Sequence, residues 1–491
     1  ILNMIKLKRM VYLVSKKIDI NKNEIINIFN NTSDLKVYEF TTMYNIKVMI
    51  CYIEGFIDKN LLDRDIIKPI ILNLDISKDV EKVLYVSGIE KITNIEELSD
   101  KLNYGDIALF IDGTNYFYTM NLNEWEKRSI EEPQAEAVIR GPKEGFIEDI
   151  LVNKAMLRRR IRSSDLVFED QILGKQTKTK ISISYIQGIV NEDVLNEVKN
   201  RIDKIDIDGV LESGYIQQLI EDNSDSLIST ISDTQKPDVV AAKLLEGRVA
   251  VFCDGTPHVL TMPKFFVEDI QTSEDYYSRT FYANFLRSLR VLSLFLSIIL
   301  PGFYVALQIF HPEMIPTVLL ITMAGAREGV PFPTIIETFS MVLMLELIKE
   351  SGIRLPRAVG SAVSIVGALV LGQAAVEAGI VSAPTVIVVA VTAIAEFAVS
   401  SLTEGIILYR FAFIFLGGFM GLYGLTCGIV VMIVQIISLD SFGVPYGFPL
   451  APSNKEGLKD SIIRFPLFRF IFRPKVLEKR NIRRQISLRK K

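Results

Sequence analysis

Hydrophobic and polar positions divide the chain into two halves of different character. Up to about residue 270, the apolar runs are short and alternate with runs of Asp, Glu, Lys and Asn. Beyond residue 289, apolar runs approach or exceed the roughly 20 residues that a helix needs to cross a bilayer. The pattern therefore predicts a soluble head in the first half and a membrane-embedded helical domain in the second.

The first half contains an internal duplication. The segment Val48–Asp58 has the sequence VMICYIEGFID, and Ile181–Asn191 has ISISYIQGIVN, with Tyr, Ile and Gly in the same order. Further along, Lys101–Met120 (KLNYGDIALFIDGTNYFYTM) matches Lys243–Met262 (KLLEGRVAVFCDGTPHVLTM) at one constant offset. Matched blocks in the same order indicate two copies of one structural unit.

Each copy predicts one α/β lobe, the first at residues 35–140 and the second at residues 165–270. The YIxG block predicts a strand that ends in a turn, and an amphipathic helical pattern follows it. The Asp-Gly-Thr sequences at Asp112 and Asp254 favour tight hairpin turns, because Asp-Gly readily supplies positive φ. A phosphate or metal site at these turns is the alternative. A small ligand in the cleft between the lobes is a further hypothesis.

Three further segments flank the lobes. Residues 1–34 form an N-terminal segment without the clean apolar stretch of a signal peptide. Residues 141–164 predict a linker helix, in which Arg158–Arg160 and Arg162 form a basic surface for acidic membrane lipid or another subunit. The alternative is a solvated face of a helix packed on its own domain. Residues 271–288 predict an interfacial helix, because aromatic residues and arginines are mixed there.

The membrane domain is predicted at residues 289–450 as an α-helical multi-pass unit. Because the head and the basic tail both belong on the cytoplasmic side, the number of full crossings should be even, and we expect four plus one or two half-inserted segments. Ile315–Ala326 is short and bounded by prolines, which favours a re-entrant segment. Ile406–Leu439 is long enough for two close elements or one tilted helix. The other candidates are Leu289–Phe310, Thr334–Ile348, Val359–Ala378 and Val381–Val399.

Four glutamates lie inside these apolar runs, where a carboxylate is costly unless it faces protein or water. They are Glu337, Glu346, Glu377 and Glu396. Glu337 and Glu346 are nine residues apart, which places them on roughly opposite faces of one helix. All four are candidates for an ion path or its gate. The alternative is a structural hydrogen bond, or an ion pair with Arg410 or Arg327.

A polar loop precedes the first of these glutamates. Arg327 and Glu328 are followed by Pro331 and Pro333. Because prolines end helices and stiffen loops, these four residues predict a coupling loop between the re-entrant segment and the next helix.

Composition and charge narrow the chemistry. The net charge is −3, yet thirteen basic and only three acidic residues follow Ser453, so the tail at residues 451–491 is predicted to be cytoplasmic. Three scattered cysteines and two isolated histidines lack the spacing of a metal site, and we find no nucleotide-binding or kinase motif. We therefore expect no enzyme activity, no cofactor, no bound metal and no nucleic-acid partner.

Three long stretches resemble the A subunits of spore germinant receptors, the GerA family. They are AEAVIRGPKEGFIEDILVNKAMLRRRIRSSDL, PGFYVALQIFHPEMIPTVLLITMAGAREGVPFPTIIE and RLPRAVGSAVSIVGALVLGQAAVEAGIVSAPTVIVVAVTAIA. The resemblance covers nearly the whole chain. It implies a protein of the spore inner membrane with a two-lobed cytoplasmic head. It also implies assembly with a transporter-like B subunit and a lipoprotein C subunit, and homo-oligomers that form a ligand-gated ion channel.

The resemblance further implies that a small-molecule nutrient triggers germination, either through this chain or through the B subunit. It supplies no catalytic residue. The first hypothesis is therefore a receptor subunit that forms or gates an ion path. A secondary transporter of a small nutrient or ion is the alternative, although carriers often repeat their membrane half and this chain repeats its head. A scaffold that clusters other subunits is the third hypothesis.

Overall fold

The computed structural model describes residues 13–75, 80–84, 86, 88–122, 140–354, 372–399, 402–474, 476–477, 481 and 483–485. Within these ranges the chain forms two α/β lobes, a helical domain and a C-terminal segment that returns to the head. The predicted division into an α/β head followed by a helical region is confirmed.

Lobe 1 is built on a five-stranded antiparallel sheet. Its elements are α1 (Ile18–Ile28), β1 (Leu35–Thr41), β2 (Lys47–Ile53), α2 (Lys59–Leu61), α3 (Lys68–Asn73), α4 (Val80–Val83), β3 (Glu90–Ile92), α5 (Ile95–Tyr104), β4 (Asp106–Ile111) and β5 (Phe117–Asn121). A π-helical stretch, Leu62–Ile67, joins α2 to α3. The strand order is β1-β2-β4-β5-β3.

Lobe 2 repeats this architecture. Its elements are α6 (Ile150–Arg160), β6 (Leu166–Leu173), β7 (Thr179–Ile186), α7 (Glu192–Asp203), α8 (Ser213–Ile220), β8 (Ser232–Thr234), α9 (Pro237–Leu245), β9 (Val249–Cys253) and β10 (Val259–Met262). The strand order is β6-β7-β9-β10-β8, which is the order of lobe 1 with the strands renumbered. The structural repeat therefore follows the sequence repeat.

The two Asp-Gly-Thr sequences form the hairpin turns between β4 and β5 and between β9 and β10. The glycine that follows each aspartate has positive φ, 91° and 86° respectively. Asp112 Oδ1 accepts a hydrogen bond from the backbone N–H of Ile18 at 3.3 Å. Asp254 Oδ1 accepts one from Ile150 at the same distance. Each turn thus also holds the first residue of a helix.

These matching contacts show that α1 and α6 occupy equivalent places in the two repeats. α6 packs on α9 and β9 of lobe 2 and buries Met156 and Leu157 there. The helix predicted as a linker at residues 141–164 is thus the first helix of the second repeat.

The first arginine of the predicted basic surface, Arg158, instead joins the two lobes. Arg158 is fully buried and donates to both carboxylate oxygens of Asp34 in lobe 1, at 2.7 and 3.0 Å. It also donates to the carbonyl oxygens of Ser163 and Leu166. The next two arginines pair with Glu144. The alternative of a helix packed on its own domain is therefore the correct one for α6.

The helical domain follows lobe 2. Its helices are α10 (Glu274–Tyr277), α11 (Thr280–Phe310), α12 (Thr317–Arg327), α13 (Thr334–Arg354), α14 (Ala383–Phe397) and α15 (Thr403–Ser438). Within the described ranges, α11 and α15 are long and apolar enough to cross a membrane, whereas α12 and α14 are shorter apolar helices. Most of the predicted crossing Val359–Ala378 lies outside the described residues.

The predicted interfacial helix and the first predicted crossing are largely one helix. α11 runs for 31 residues and continues through Pro301. Phe281 and Phe285 are exposed near its start, as expected for aromatic side chains at a membrane interface. Arg287, one of the arginines in this segment, is fully buried and pairs with Asp275 at 2.9 Å.

α15 is a hairpin of two helical arms. Gly421 has φ 61° and ψ −146°, a conformation that is open to glycine and strained for other residues. Tyr409 Oη donates to Gln435 Oε1 at 2.8 Å, although 26 residues separate them. A straight helix would hold these two residues about 39 Å apart. Of the two alternatives for this stretch, two close elements is correct. We call residues 403–420 arm 1 and residues 422–438 arm 2.

The tip of this hairpin lies at the end of the helical domain that is farther from the head. Gly405 at the start of arm 1 lies against Leu227 of lobe 2. Gly421 at the tip lies against Phe310, the last residue of α11. α11 and arm 1 therefore both lead away from the head, and arm 2 returns to it. We call the two ends of the domain the head side and the far side.

α11 and arm 1 approach each other closely because both carry glycine at their contact. A Cβ atom on Gly302 would overlap the carbonyl oxygen of Phe413, and one on Gly417 would overlap that of Gly302. Small residues permit this close packing of membrane helices.

α13 runs back towards the head. Ile335 near its start contacts Gly418 beside the hairpin tip, and Glu346 further along contacts Arg410 of arm 1. α14 runs in the same direction, because Ser382 before its start contacts Glu337 and Glu396 near its end contacts Arg410.

The segment after α15 packs on lobe 2. It contains β11 (Asp440–Ser441), β12 (Val444–Pro445) and short 3₁₀ turns at Gly457–Lys459 and Leu467–Arg469. Four of its apolar residues are buried in the core of lobe 2, namely Phe442, Val444, Phe448 and Leu477. Three of these residues lie before residue 450, so the end of the predicted membrane domain at residues 289–450 belongs to the head instead. Leu477 of the predicted tail at residues 451–491 packs in the same core.

Candidate functional site

Arg410 organises a buried charge cluster in the middle of the helical domain. It is fully buried in arm 1, and its Nε donates to the carbonyl oxygen of Ser297 in α11 at 2.8 Å. Its Nη1 donates to Glu346 of α13 at 2.7 Å, and its Nη2 donates to Glu396 of α14 at 2.5 Å. Lys349 Nζ lies 2.5 Å from Glu396 and 3.3 Å from Glu346. We call Glu346, Lys349, Glu396 and Arg410 the mid cluster.

The mid cluster is balanced in charge and ties three helices together. Two carboxylates face two cations in this cluster. Removing one member of a buried ion pair leaves an uncompensated charge and typically costs about 3–5 kcal/mol. The cluster therefore opposes any separation of α13, α14 and arm 1.

Glu337 is the centre of a second cluster, nearer the far side. Its carboxylate is fully buried, and Oε1 accepts from the backbone N–H and the Oγ of Ser382 at 2.5 and 2.6 Å. Ser382 is the residue before α14, so the carboxylate lies at a helix N-terminus, where negative charge is favoured. Hydrogen bonds of 3.1 Å continue from Ser382 Oγ to Thr385 and from Thr385 to Tyr304 of α11. We call Tyr304, Arg327, Glu337, Ser382 and Thr385 the outer cluster.

The outer cluster is incompletely bonded. Arg327 Nε lies 3.8 Å from Glu337 Oε2, which is too far for a hydrogen bond. Among the described residues, both atoms and the neighbouring Thr338 Oγ1 are buried without a hydrogen-bond partner. Such atoms are rare in folded proteins and are usually completed by water, an ion or a second conformation. The outer cluster is thus better suited to rearrangement or hydration than the mid cluster.

The structure divides the four predicted glutamates among three environments. Glu346 and Glu396 share the mid cluster, and Glu337 lies in the outer cluster. Glu377 is exposed and accepts a hydrogen bond from Gln373 at 2.8 Å. Glu337 and Glu346 occupy separate sites on α13, as their spacing predicts.

The predicted coupling loop begins in the outer cluster. Arg327 is the last residue of α12 and faces Glu337. Glu328, Pro331 and Pro333 are exposed, and the carbonyl oxygen of Pro333 accepts from the Glu337 N–H at 3.0 Å. The loop therefore leads from Arg327, which faces the buried carboxylate, to the first turn of α13, which carries it.

Sequence reasoning missed Lys349 and Ser382 as members of these clusters. Lys349 follows Glu346 by three residues, a spacing that brings opposite charges together on a helix. Ser382 stands before Ala383-Pro384, a sequence typical of a helix start. Both signals are local, but neither identifies the partner helix.

A third cluster joins the helical domain to the head. Arg287 of α11 donates to Asp275 and to Asp460 of the C-terminal segment, each at 2.9 Å. Arg290 also pairs with Asp275 at 2.9 Å, and Arg464 donates to the Asp275 backbone carbonyl. We call these five residues the junction cluster. It ties the start of α11 to both the end of lobe 2 and the returning chain.

A largely buried carboxylate at the base of lobe 2 is ion-paired with two cations. Glu268 pairs with Lys243 at 2.9 Å and with Arg248. Burial alone would raise the pKa of Glu268, but the two cations outweigh it and hold the pKa at about 2. This carboxylate therefore stays ionised at physiological pH.

A polar cavity lies on lobe 2, whereas the ligand cleft between the lobes stays a prediction. A cavity of about 460 Å³ lies on lobe 2 beside its Asp-Gly-Thr turn, and Glu148, Glu212, Thr256 and His258 are among its lining residues. Asp233 also lines it, and the hydrogen bond with His258 lowers the pKa of this carboxyl group.

Comparison with known proteins gives the family. The family described as Bacillus/Clostridium GerA spore germination protein matches residues 23–476. The chain belongs to the GerA family of spore germination proteins. It is 44% identical over 483 residues to spore germination protein KA of Bacillus subtilis (strain 168), which covers 96% of this chain and 89% of that protein. It is 40% identical over 401 residues to spore germination protein GerLA of Bacillus cereus, with 81% and 82% covered.

One solved structure is also similar to the head. It is the crystal structure of the N-terminal domain of the A subunit of the Bacillus megaterium spore germinant receptor GerK3. The identity is 33%, the match covers 52% of this chain and 99% of that chain, and the TM-score is 0.41.

Proposed function

We propose that this chain is the membrane A subunit of a nutrient germinant receptor and that it triggers spore germination by forming or gating an ion-conducting path. The observation that carries the proposal is the outer cluster. It is a buried carboxylate in an apolar helical domain, and one of its oxygens is unbonded among the described residues. Ionisable residues inside membrane segments are rare, and those that face the bundle interior mark ion and proton pathways.

In this proposal the mid cluster acts as a clamp and the outer cluster as the site that changes state. The mid cluster is saturated with ion pairs, so it holds α13, α14 and arm 1 in register. The junction cluster connects the same domain to lobe 2 and to the C-terminal segment. A change in the head therefore has a continuous packed route to the outer cluster.

The arrangement also fits a multi-pass protein of the spore inner membrane with its head and its C-terminal segment in the cytoplasm. α11 and arm 1 lead away from the head, whereas α13, α14 and arm 2 lead back to it. Partners in this proposal are a transporter-like B subunit, a lipoprotein C subunit, membrane lipid and further copies of this chain. The nutrient binds either this chain or the B subunit.

The test compares two kinds of spore. Deleted spores lack this chain, and restored spores carry it as their single A-type subunit. Restored spores should release cations and lose dormancy when the cognate nutrient is added, whereas deleted spores should not. Spores that respond equally with and without the chain would contradict the proposal.

Purified full chain in liposomes separates the two other candidate functions. Passive cation flux supports an ion path, accumulation of a solute against a gradient supports a secondary transporter, and no flux supports a scaffold. The close packing of glycines between α11 and arm 1 favours a fixed helix pair over the large rearrangements of a carrier.

A further inference from the structure

The helical domain encloses an apolar cavity of about 350 Å³ immediately below the head. α11 contributes Leu294 and Ile298 to its walls, arm 1 contributes Ile406, and arm 2 contributes Met432 and Ile436. All five side chains are buried or half-buried. Parts of the chain that are distant in sequence therefore meet around this cavity.

Water is a poor occupant for this cavity. By volume it would hold about a dozen waters at roughly 30 Å³ each, but every buried water needs two to four polar partners. The hydroxyl group of Tyr409 is one polar group in the lining, and it is already bonded to Gln435 at 2.8 Å. A dry void of this size would deprive its walls of van der Waals contacts. The cavity therefore calls for an apolar ligand.

The mouth of the cavity opens sideways between α11 and arm 2. Phe295, Ile433 and Ile437 line it and are about half exposed, at 49%, 46% and 50%. The neighbouring outward residues Leu292 and Val434 are also apolar and exposed. In a membrane this surface faces lipid, so the mouth is accessible from the bilayer.

The position along α11 places the cavity among the acyl chains. Phe285 is exposed and marks the expected interface level on this helix. Leu294 lies nine residues further along, which corresponds to about 13 Å of helix. This depth lies within the hydrocarbon of the leaflet on the head side.

We propose that this cavity binds one acyl chain of a membrane phospholipid. The inference rests on the membrane location in the proposed function. An acyl chain is apolar, flexible and abundant at the mouth, and it needs no polar partner. Ile228 and Phe266 of the head and Leu450 of the C-terminal segment form part of the same lining. A bound acyl chain therefore contacts the head, α11 and both arms of the hairpin at once and stabilises their packing.

Native mass spectrometry of the full chain tests this inference. The chain is extracted in mild detergent from membranes that contain phosphatidylglycerol. We expect one phospholipid per chain to survive detergent washing. Ile436→Trp fills the cavity and should lower the retained lipid at least tenfold, whereas Val434→Trp, on the exposed face two residues away, should retain it.

A second measurement covers the case in which Ile436→Trp fails to fold. Phosphatidylglycerol added to the delipidated parent should raise its Tm, because a ligand that binds only the folded state stabilises it. The same addition should leave the Tm of Ile298→Trp, a variant on the opposite wall of the cavity, unchanged.

A parent chain that floats with vesicles yet retains no lipid would overturn this inference and leave the proposed function intact. Equal retention by the parent and both cavity variants would overturn it too, as would a co-purifying polypeptide in place of lipid. A chain that does not float with vesicles would instead contradict the proposed function.

Discussion

Arg410 illustrates how this apolar domain keeps a charge inside. The guanidinium group is planar and presents five donors, so it can bond a backbone carbonyl and two carboxylates at once. Here it does so with Ser297, Glu346 and Glu396. A lysine at this position would be a single point charge and could not hold the three helices in the same way.

Replacing this arginine should destabilise the helical domain. Arg410→Met leaves Glu346 and Glu396 with Lys349 as their remaining cation in the mid cluster, so we expect a loss of about 3–5 kcal/mol. Thermal unfolding in detergent measures the effect, and Glu377→Gln on an exposed carboxylate serves as the control. Adding Glu396→Gln to Arg410→Met should restore part of the loss. An unchanged Tm for Arg410→Met would contradict the clamp.

Glu268 predicts a specific acid sensitivity of the head. Its pKa is about 2 in the folded state against an ordinary value of 4.5. A lowered pKa contributes stability that is fully present above pH 4.5 and is lost as the pH falls towards 2. The shift corresponds to about 3 kcal/mol. Chemical denaturation of the chain between pH 5 and pH 2 should show this loss, and Glu268→Gln should flatten the profile. Parallel profiles of stability against pH for the parent and Glu268→Gln would contradict this prediction.

The charged residues of the site could be predicted from the sequence, whereas most of their partners could not. A glutamate or arginine inside an apolar run is conspicuous, which identified Glu337, Glu346, Glu396 and Arg410. The pairing of Glu337 with Ser382 depends on two helices meeting, and no local pattern encodes that contact. Glu377 is equally conspicuous in sequence but is exposed, because it lies at the end of a helical stretch described at residues 372–377.

At the scale of elements, the sequence repeat predicted the lobes well. Strands, hairpin turns and the order of blocks follow from alternation and from Asp-Gly turns, which are local signals. The role of α6 was missed because its residue match with α1 is short: the I-x-x-N-K pattern that starts at Ile18 recurs at Ile150. The equivalence is clear only from the contacts with Asp112 and Asp254.

The fold of α15 is the point at this scale where the pattern left two alternatives and the structure decides between them. The hydrophobic run does not stop at the tip, so hydropathy alone cannot distinguish a helical hairpin from one straight helix. The deciding signal is the backbone conformation of Gly421.

A distance between two spin labels tests the hairpin. Labels at Leu408 and Ile437, which are both exposed, should lie within about 20 Å, whereas a straight helix would separate them by about 43 Å. Labels at Leu289 and Ile309 on α11 give the control, with about 30 Å expected along a single helix. A distance above 40 Å for the first pair would rule out the hairpin.

At the scale of the whole molecule, the C-terminal segment makes the head and the helical domain interdependent. Phe442 and Phe448 complete the core of lobe 2, and Asp460 completes the junction cluster. The sequence pattern predicts a membrane domain up to residue 450 and a basic cytoplasmic tail beyond it, because hydropathy and charge counts do not show which residues pack against the head.

Removing one of these aromatic side chains should loosen lobe 2. Phe442→Ala removes a buried ring and its stacking with Arg201, so we expect a loss of about 3–5 kcal/mol. Hydrogen exchange in α7 should accelerate accordingly. Phe468→Ala, on a ring that is 52% exposed, is the matched control and should have little effect. Equal exchange in the two variants would show that the segment does not stabilise lobe 2.

The central claim is that the buried Glu337 carboxylate controls ion movement. The most direct test is nutrient-triggered cation release from spores that carry either Glu337→Gln or Glu377→Gln as their single A-type subunit, at matched protein level. The two glutamates belong to the same domain, but one is buried and the other is exposed. We expect release to change at least tenfold in Glu337→Gln and to stay within twofold of the parent in Glu377→Gln. Parental release from both variants would contradict the account.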